Sequence, residues 1–95
     1  MCIKKDRFIV FQVQNGWIVY NTKKAFENGH THLKSKCSAL AAIDFVLKEK
    51  IPKRCGNYYL ISLTRISDNE KYVAKVRELI SVRGSKGKKQ IYRNS

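Results

Sequence analysis

The chain has 95 residues, 20 Lys and Arg against 7 Asp and Glu, a formal charge of +13 and a hydrophobic content of 43%. That much apolar material excludes an intrinsically disordered chain, and the length leaves room for one hydrophobic core and not two. With the acids few and scattered, a hydrolase built on paired carboxylates is excluded as well.

The opening Met1 to Arg7 followed by Phe8 to Phe11 starts like a signal peptide, but Gln12, Gln14 and Asn15 interrupt the apolar run before it reaches signal length. The longest later apolar run, Ala39 to Leu47, contains Asp44 and falls short of the roughly 18 residues a membrane span needs. Cys2, Cys37 and Cys55 are odd in number and widely spaced, a poor disulfide framework that fits reduced thiols in a cytoplasmic protein. Cys37 and Cys55 are expected to be buried as small hydrophobes.

Arg7 to Val13 and Trp17 to Thr22 are rich in β-formers, and Asn15-Gly16 between them fits a two-residue type I′ turn. The predicted hairpin sets Val13 opposite Ile18, Phe11 opposite Tyr20 and Ile9 opposite Thr22. One face then carries Ile9, Phe11, Val13, Ile18 and Tyr20 and is assigned to the core. The other carries Phe8, Val10, Gln12, Trp17, Val19 and Asn21, and is apolar enough for partial cover or a binding surface.

Asn28-Gly29 signals another turn, Thr31 to Lys34 a short third strand, and Ser35 or Ser38 a helix cap. On a helix from Lys36 to Ile51, the residues Leu40, Ile43, Leu47 and Ile51 form a stripe with Ala39 and Val46 beside it. Phe45 falls on the opposite side, as a second contact surface. After Pro52, the run Tyr58 to Ile66 is apolar on both alternating faces and reads as a central strand. Ser67-Asp68-Asn69-Glu70 has the form of a capping box, which starts a second helix at Asp68 with Tyr72, Val73, Val76, Leu79 and Ile80 inward and Gly84 as its C-terminal cap.

The predicted fold is α+β, in the order ββ(β)αβα: a small, mainly antiparallel sheet, made of an N-terminal hairpin plus a central strand, packed by two helices. Residues 1–83 form the single domain. Residues 84–95 form a basic tail, flexible or added as an edge strand.

Charge carries the functional reading. Residues 34 to 54 hold Lys34, Lys36, Lys48, Lys50, Lys53 and Arg54 against Asp44 and Glu49, and residues 71 to 95 hold eight cations against Glu78 alone. An excess this clustered points to a polyanion, DNA or RNA, held by its phosphates. The expected contacts are Lys34, Lys36, Lys53 and Arg54, with Lys86, Lys88, Lys89, Tyr92 and Arg93 of the tail. Trp17, Tyr58 and Tyr59 offer rings for base stacking, but rings in a small domain usually belong to the core and are read so. The alternative is a protein-interaction module, an accessory or inhibitory protein of a mobile element for example, that pairs with a second copy or an acidic partner through the apolar hairpin face, Trp17 and Phe45.

His30-Thr31-His32 would aim two imidazoles to one side of a strand. Zinc needs two further ligands, the cysteines lack C-x-x-C spacing, and no second H-x-T/S element exists to complete a two-histidine phosphodiesterase. No nucleophilic triad or phosphate-binding loop is legible either. The sequence therefore predicts neither an enzyme nor a metal or cofactor site.

Overall fold

The computed structural model describes residues 2–94, with side chains described through residue 83. Its elements in chain order are β1 (Cys2–Lys5), β2 (Phe8–Val13), β3 (Gly16–Asn21), the single turn α1 (Phe26–Gly29), β4 (His30–Leu33), α2 (Lys36–Lys48), α3 (Asn57–Ile66) and α4 (Glu70–Asn94). The fold is α+β. The four strands form one antiparallel sheet in the order β1-β2-β3-β4, with α2 and α3 packed on one face and α4 packed along α3.

The hairpin forms at the expected place with a different turn. Val13 pairs with Gly16, Phe11 with Ile18 and Ile9 with Tyr20, so the loop residues are Gln14 and Asn15. Neither adopts positive φ, and the turn is not type I′. Gly16 is required for another reason. Its φ is 152°, and a Cβ there would stand 2.5 Å from the Leu33 carbonyl oxygen of the neighbouring strand.

The partition of hairpin residues between two faces holds, but the expected core face is the wrong one. Phe8, Val10 and Val19 are fully buried with Leu33, Ala39, Ala42, Ile43 and Val46, and Trp17 packs against the same core. Ile9, Phe11, Val13 and Tyr20 lie half-buried on the other side, away from α2 and α3, where Ile18 is also buried and Phe26 of α1 packs on Tyr20. Period-two alternation separates two faces without saying which one the helices take. Here the buried polar groups settle it. Asn21 donates from Nδ2 to the Ile66 carbonyl at 2.9 Å and Thr31 donates to Ser62 Oγ at 2.8 Å, both reachable only from the helical side. On that side too, Lys5 pairs with Asp44 of α2, and this hydrogen bond draws the Asp44 carboxyl below its usual pKa.

Residues 58–66 are helical, not a central strand. A sheet completed by residues 2–33 leaves them no strand to pair with, whereas α2 needs cover on a second side. As a helix they bury Leu60, Leu63 and Ile66, while Tyr58, Ile61 and Arg65 fall at i, i+3 and i+7 on the exposed stripe. The hydroxyls of Ser62 and Thr64 donate to the Tyr58 and Ile61 carbonyls of the same helix, so these polar residues are buried with partners.

Ser35 caps α2, accepting from the Ser38 backbone N–H at 3.1 Å. This helix ends at Lys48, before the expected Ile51, because Glu49 turns left-handed with φ 56°. Helix α4 starts two residues after the expected position. Its cap is Asn69, whose Oδ1 accepts from Lys71 N at 3.0 Å and Tyr72 N at 3.2 Å, while Ser67 closes α3 and accepts from Asn69 N. Four of the five residues of the expected inward stripe of α4 hold, with Tyr72 and Val76 buried and Leu79 and Ile80 packed against the core, while Val73 lines the cavity beside Asp68 instead. Helix α4 runs on through Gly84 to Asn94, so Gly84 is not its C-terminal cap and residues 84–94 are neither an edge strand nor separate from the helix; their side chains lie outside the described ones.

Candidate nucleic-acid interface

Three hydrogen-bond ties bring distant cations of the sequence to one end of the molecule. The Tyr59 hydroxyl of α3 donates to the Ser38 carbonyl in the first turn of α2 at 2.9 Å, and the Tyr58 hydroxyl donates to the His32 carbonyl near the end of β4 at 2.9 Å. Arg83 of α4 donates to the carbonyls of Cys55 and Lys53 at 2.7 and 3.3 Å. Chain positions 32–38, 53–59 and 83 therefore meet. Lys34 and Lys36 flank the start of α2, Lys53 and Arg54 precede the start of α3, and all four are exposed. The N-termini of α2 and α3 point to this same end and add the positive poles of two helix dipoles.

Five of the seven acids, Asp6, Glu27, Glu49, Asp68 and Glu70, gather around the α3–α4 turn. Arg7 bridges Asp6 and Asp68, at 3.0 and 2.7 Å. Glu49 accepts from Asn69, the neighbour of both Asp68 and Glu70, and Glu27 sits where Arg65 donates to its carbonyl at the C-terminal turn of α3. Burial alone would raise the Asp68 carboxyl, but hydrogen bonds from Arg7 and Asn21 outweigh it and hold the group below its ordinary pKa. Arg7 is raised in turn, chiefly by its bond to Asp68. Lys24 is engaged here too, donating to the Arg65 and Ser67 carbonyls, and its burial lowers its pKa. A cavity of about 600 Å³ at this end sets Lys24 and Arg77 against Asp68 and Glu70, with no net sign. The α3–α4 turn thus carries acids and cations together, whereas Lys34, Lys36, Lys53 and Arg54 form an exposed cationic group at the other end.

Between the two ends runs an aromatic edge. Phe26 stacks on His30 with centroids 4.1 Å apart and planes 4° from parallel. Tyr20 lies 5.2 Å from Phe26 and His32 lies 5.5 Å from His30. Two polar contacts hold the series: the Tyr20 hydroxyl donates to the Lys24 carbonyl at 2.6 Å, and His30 Nδ1 donates to the Phe26 carbonyl. Beside the histidines, a groove of about 300 Å³ is lined by Tyr58, Ile61, Ser62 and Arg65.

Among the expected site residues, Lys34, Lys36, Lys53 and Arg54 are brought together. Lys86, Lys88, Lys89, Tyr92 and Arg93 lie outside the described side chains. Phe45 is half-buried between α2 and α3, with its ring edge-on to Tyr59 at 6.4 Å, because α3 covers the side of α2 that a strand would have left open. Trp17 packs against the core rather than standing on a free face. Of the rings read as core, Tyr59 is half-buried and Tyr58 is 64% exposed. Cys37, expected to be buried, is exposed, and Cys55 is half-buried. Tyr20 was not legible as a part-exposed ring, since the wrong hairpin face was assigned to the core, and Phe26, off the hairpin, carried no sequence signal. Among the described residues no group of three or more His, Cys, Asp or Glu could hold a metal ion, and no helix is long and apolar enough to cross a membrane.

Comparison with protein-family models, with curated proteins and with solved structures finds no match for this chain.

Proposed function

We propose that the protein binds nucleic acid through its phosphate backbone and performs no chemistry on it. The observation that supports this reading most is the convergence of cations: in a chain of formal charge +13, Lys34, Lys36, Lys53 and Arg54 stand exposed together at one end. Cations left exposed together repel one another, and a polyanion relieves that repulsion while releasing its own counterions. Two helix N-termini at the same end add backbone N–H groups of the kind that bind phosphate. The chain beyond Arg83 carries Lys86, Lys88, Lys89, Tyr92 and Arg93 in its sequence, and in this reading these residues add to the contact. A reducing, cytoplasmic setting fits the free thiols of Cys2 and Cys37, which are exposed.

The experiment is a binding titration with a fluorescent duplex over a salt series, comparing the parent chain with the variant Lys34→Gln, Lys36→Gln, Lys53→Gln and Arg54→Gln. Each phosphate contact contributes about 0.9 to the slope of log affinity against log salt, so the variant should show a slope shallower by up to about 3.6. An unchanged slope would remove these four residues from the interface, and no binding by the parent at low salt would overturn the reading.

A further inference from the structure

The face of the sheet away from α2 and α3 is a surface of a different kind from the basic end. The strand register sets Lys4, Ile9, Tyr20 and His30 in one row across it, and Cys2, Phe11, Ile18 and His32 in the next. Ile18 is buried in the middle of this face, while Ile9, Phe11 and Tyr20 are part-exposed, and none of the four is among the apolar residues packed on the core. None of the four strands contains Asp or Glu. At the β4 edge the face runs into the stacked rings of Phe26 and His30, where Phe26 is 46% exposed, and over that edge to Tyr58.

We propose that this face and the β4 edge take the unpaired bases of a single-stranded nucleic acid, stacked on Phe11, Tyr20 and Phe26, while the phosphates run toward Lys34 and Lys36. The inference rests on the nucleic-acid reading above and names its substrate class. Three features select that occupant. The rings are held in place before any ligand arrives, Tyr20 by its bond to the Lys24 carbonyl and Phe26 by its stack on His30, so stacking a base on them orders little. Rings lying across a sheet reach the faces of splayed bases, whereas the bases of a duplex already stack on one another. Charge selects against a second copy: two chains of formal charge +13 brought face to face across an acid-free surface repel. Four strands spaced about 4.8 Å apart span roughly 14 Å, room for a few nucleotides.

The test uses the full chain, a single-stranded oligonucleotide carrying 2-aminopurine and a duplex of equal length. The variants Phe11→Leu and Tyr20→Leu keep apolar bulk on the sheet while removing the stacking ring, and circular dichroism checks that each remains folded. The parent should bind the single strand more tightly than the duplex and change the 2-aminopurine fluorescence. Each variant should weaken single-strand binding at least about 5-fold, lose the fluorescence change and keep its duplex affinity. Phe26→Leu, on an exposed ring, repeats the measurement should either sheet variant unfold. Equal affinity for single strand and duplex, undiminished in the variants, would overturn the base-stacking proposal and leave phosphate binding standing. Failure of the parent to bind either oligonucleotide would overturn both. Sedimentation showing a dimer that the variants dissociate would assign the face to a second copy and overturn the proposal.

Discussion

Asn21 is the residue on which the joint between sheet and helices depends, and its removal has a calculable effect. Its side chain is fully buried and makes three hydrogen bonds: Nδ2 donates to the Ile66 carbonyl at 2.9 Å and to Asp68 Oδ2 at 3.2 Å, and Oδ1 accepts from Lys23 N at 2.9 Å. Together they fix the end of β3 to the α3–α4 turn. In Asn21→Ala, the two neutral bonds remove roughly 1 kcal/mol each and the bond to a carboxylate about 1.5 to 3 kcal/mol. Water cannot readily replace the lost partner of the Ile66 carbonyl in a buried site, so partial compensation by solvent is small there. The variant should therefore lose about 3.5 to 5 kcal/mol, a large fraction of the stability of a chain this size. Urea unfolding followed by far-UV circular dichroism measures it, with the midpoint falling at unchanged slope. A loss below about 1 kcal/mol would refute the argument that this joint holds the helices on the chosen face of the sheet.

Other expected outcomes follow from the same geometry. Burial first, with the neighbouring Cys55 second, raises the Tyr59 hydroxyl to about 12, and burial raises Tyr72 to about 12. Both folded-state pKa values lie above the unfolded value of about 10, so stability present below pH 10 is lost as pH rises toward 12, and ultraviolet absorbance should show two of the tyrosines ionising late. Phe45→Ala should lower stability by about 1 to 3 kcal/mol without altering sedimentation, since the ring packs on Tyr59; unaltered stability with a changed oligomeric state would restore Phe45 as an interface residue. Asn69→Ala should cost about 0.5 to 2 kcal/mol in urea unfolding, as the loss of the α4 cap requires.

How much the sequence disclosed depended on which residues carried a one-to-one signal. The place of the hairpin and the inward Tyr72, Val76, Leu79 and Ile80 of α4 were legible from β-rich runs and a 3.6-residue period, and Ser35 was one of two caps expected. The type of the hairpin turn and the role of Ser67 were misread, because a turn glycine and a capping-type serine each fit more than one local structure. Strand β1 was not, since its turn places Asp6 at φ 56°, stabilised by Asp6 Oδ1 accepting from Arg7 N at 2.8 Å, where a glycine would have announced it. Glu49 hid the end of α2 in the same way. Tyr58 to Ile66 misled because a run with apolar residues in every phase satisfies both periods, and only its partners decide between them. The cations of the site could be read as charge, but their convergence could not. It depends on Tyr58, Tyr59 and Arg83 tying three separated segments together, and no local pattern encodes that. Tyr20 of the aromatic edge was hidden by the inverted assignment of the hairpin faces.

The most direct test of the central claim is the affinity of the full chain for a fluorescent oligonucleotide, measured by anisotropy between about 50 and 200 mM salt. Nucleic-acid binding through the basic end predicts a straight line of log affinity against log salt with a steep negative slope, and a sharp loss of affinity when Lys34, Lys36, Lys53 and Arg54 are all replaced by Glu. An absence of binding at the lowest salt, or an affinity indifferent both to salt and to that replacement, would contradict it.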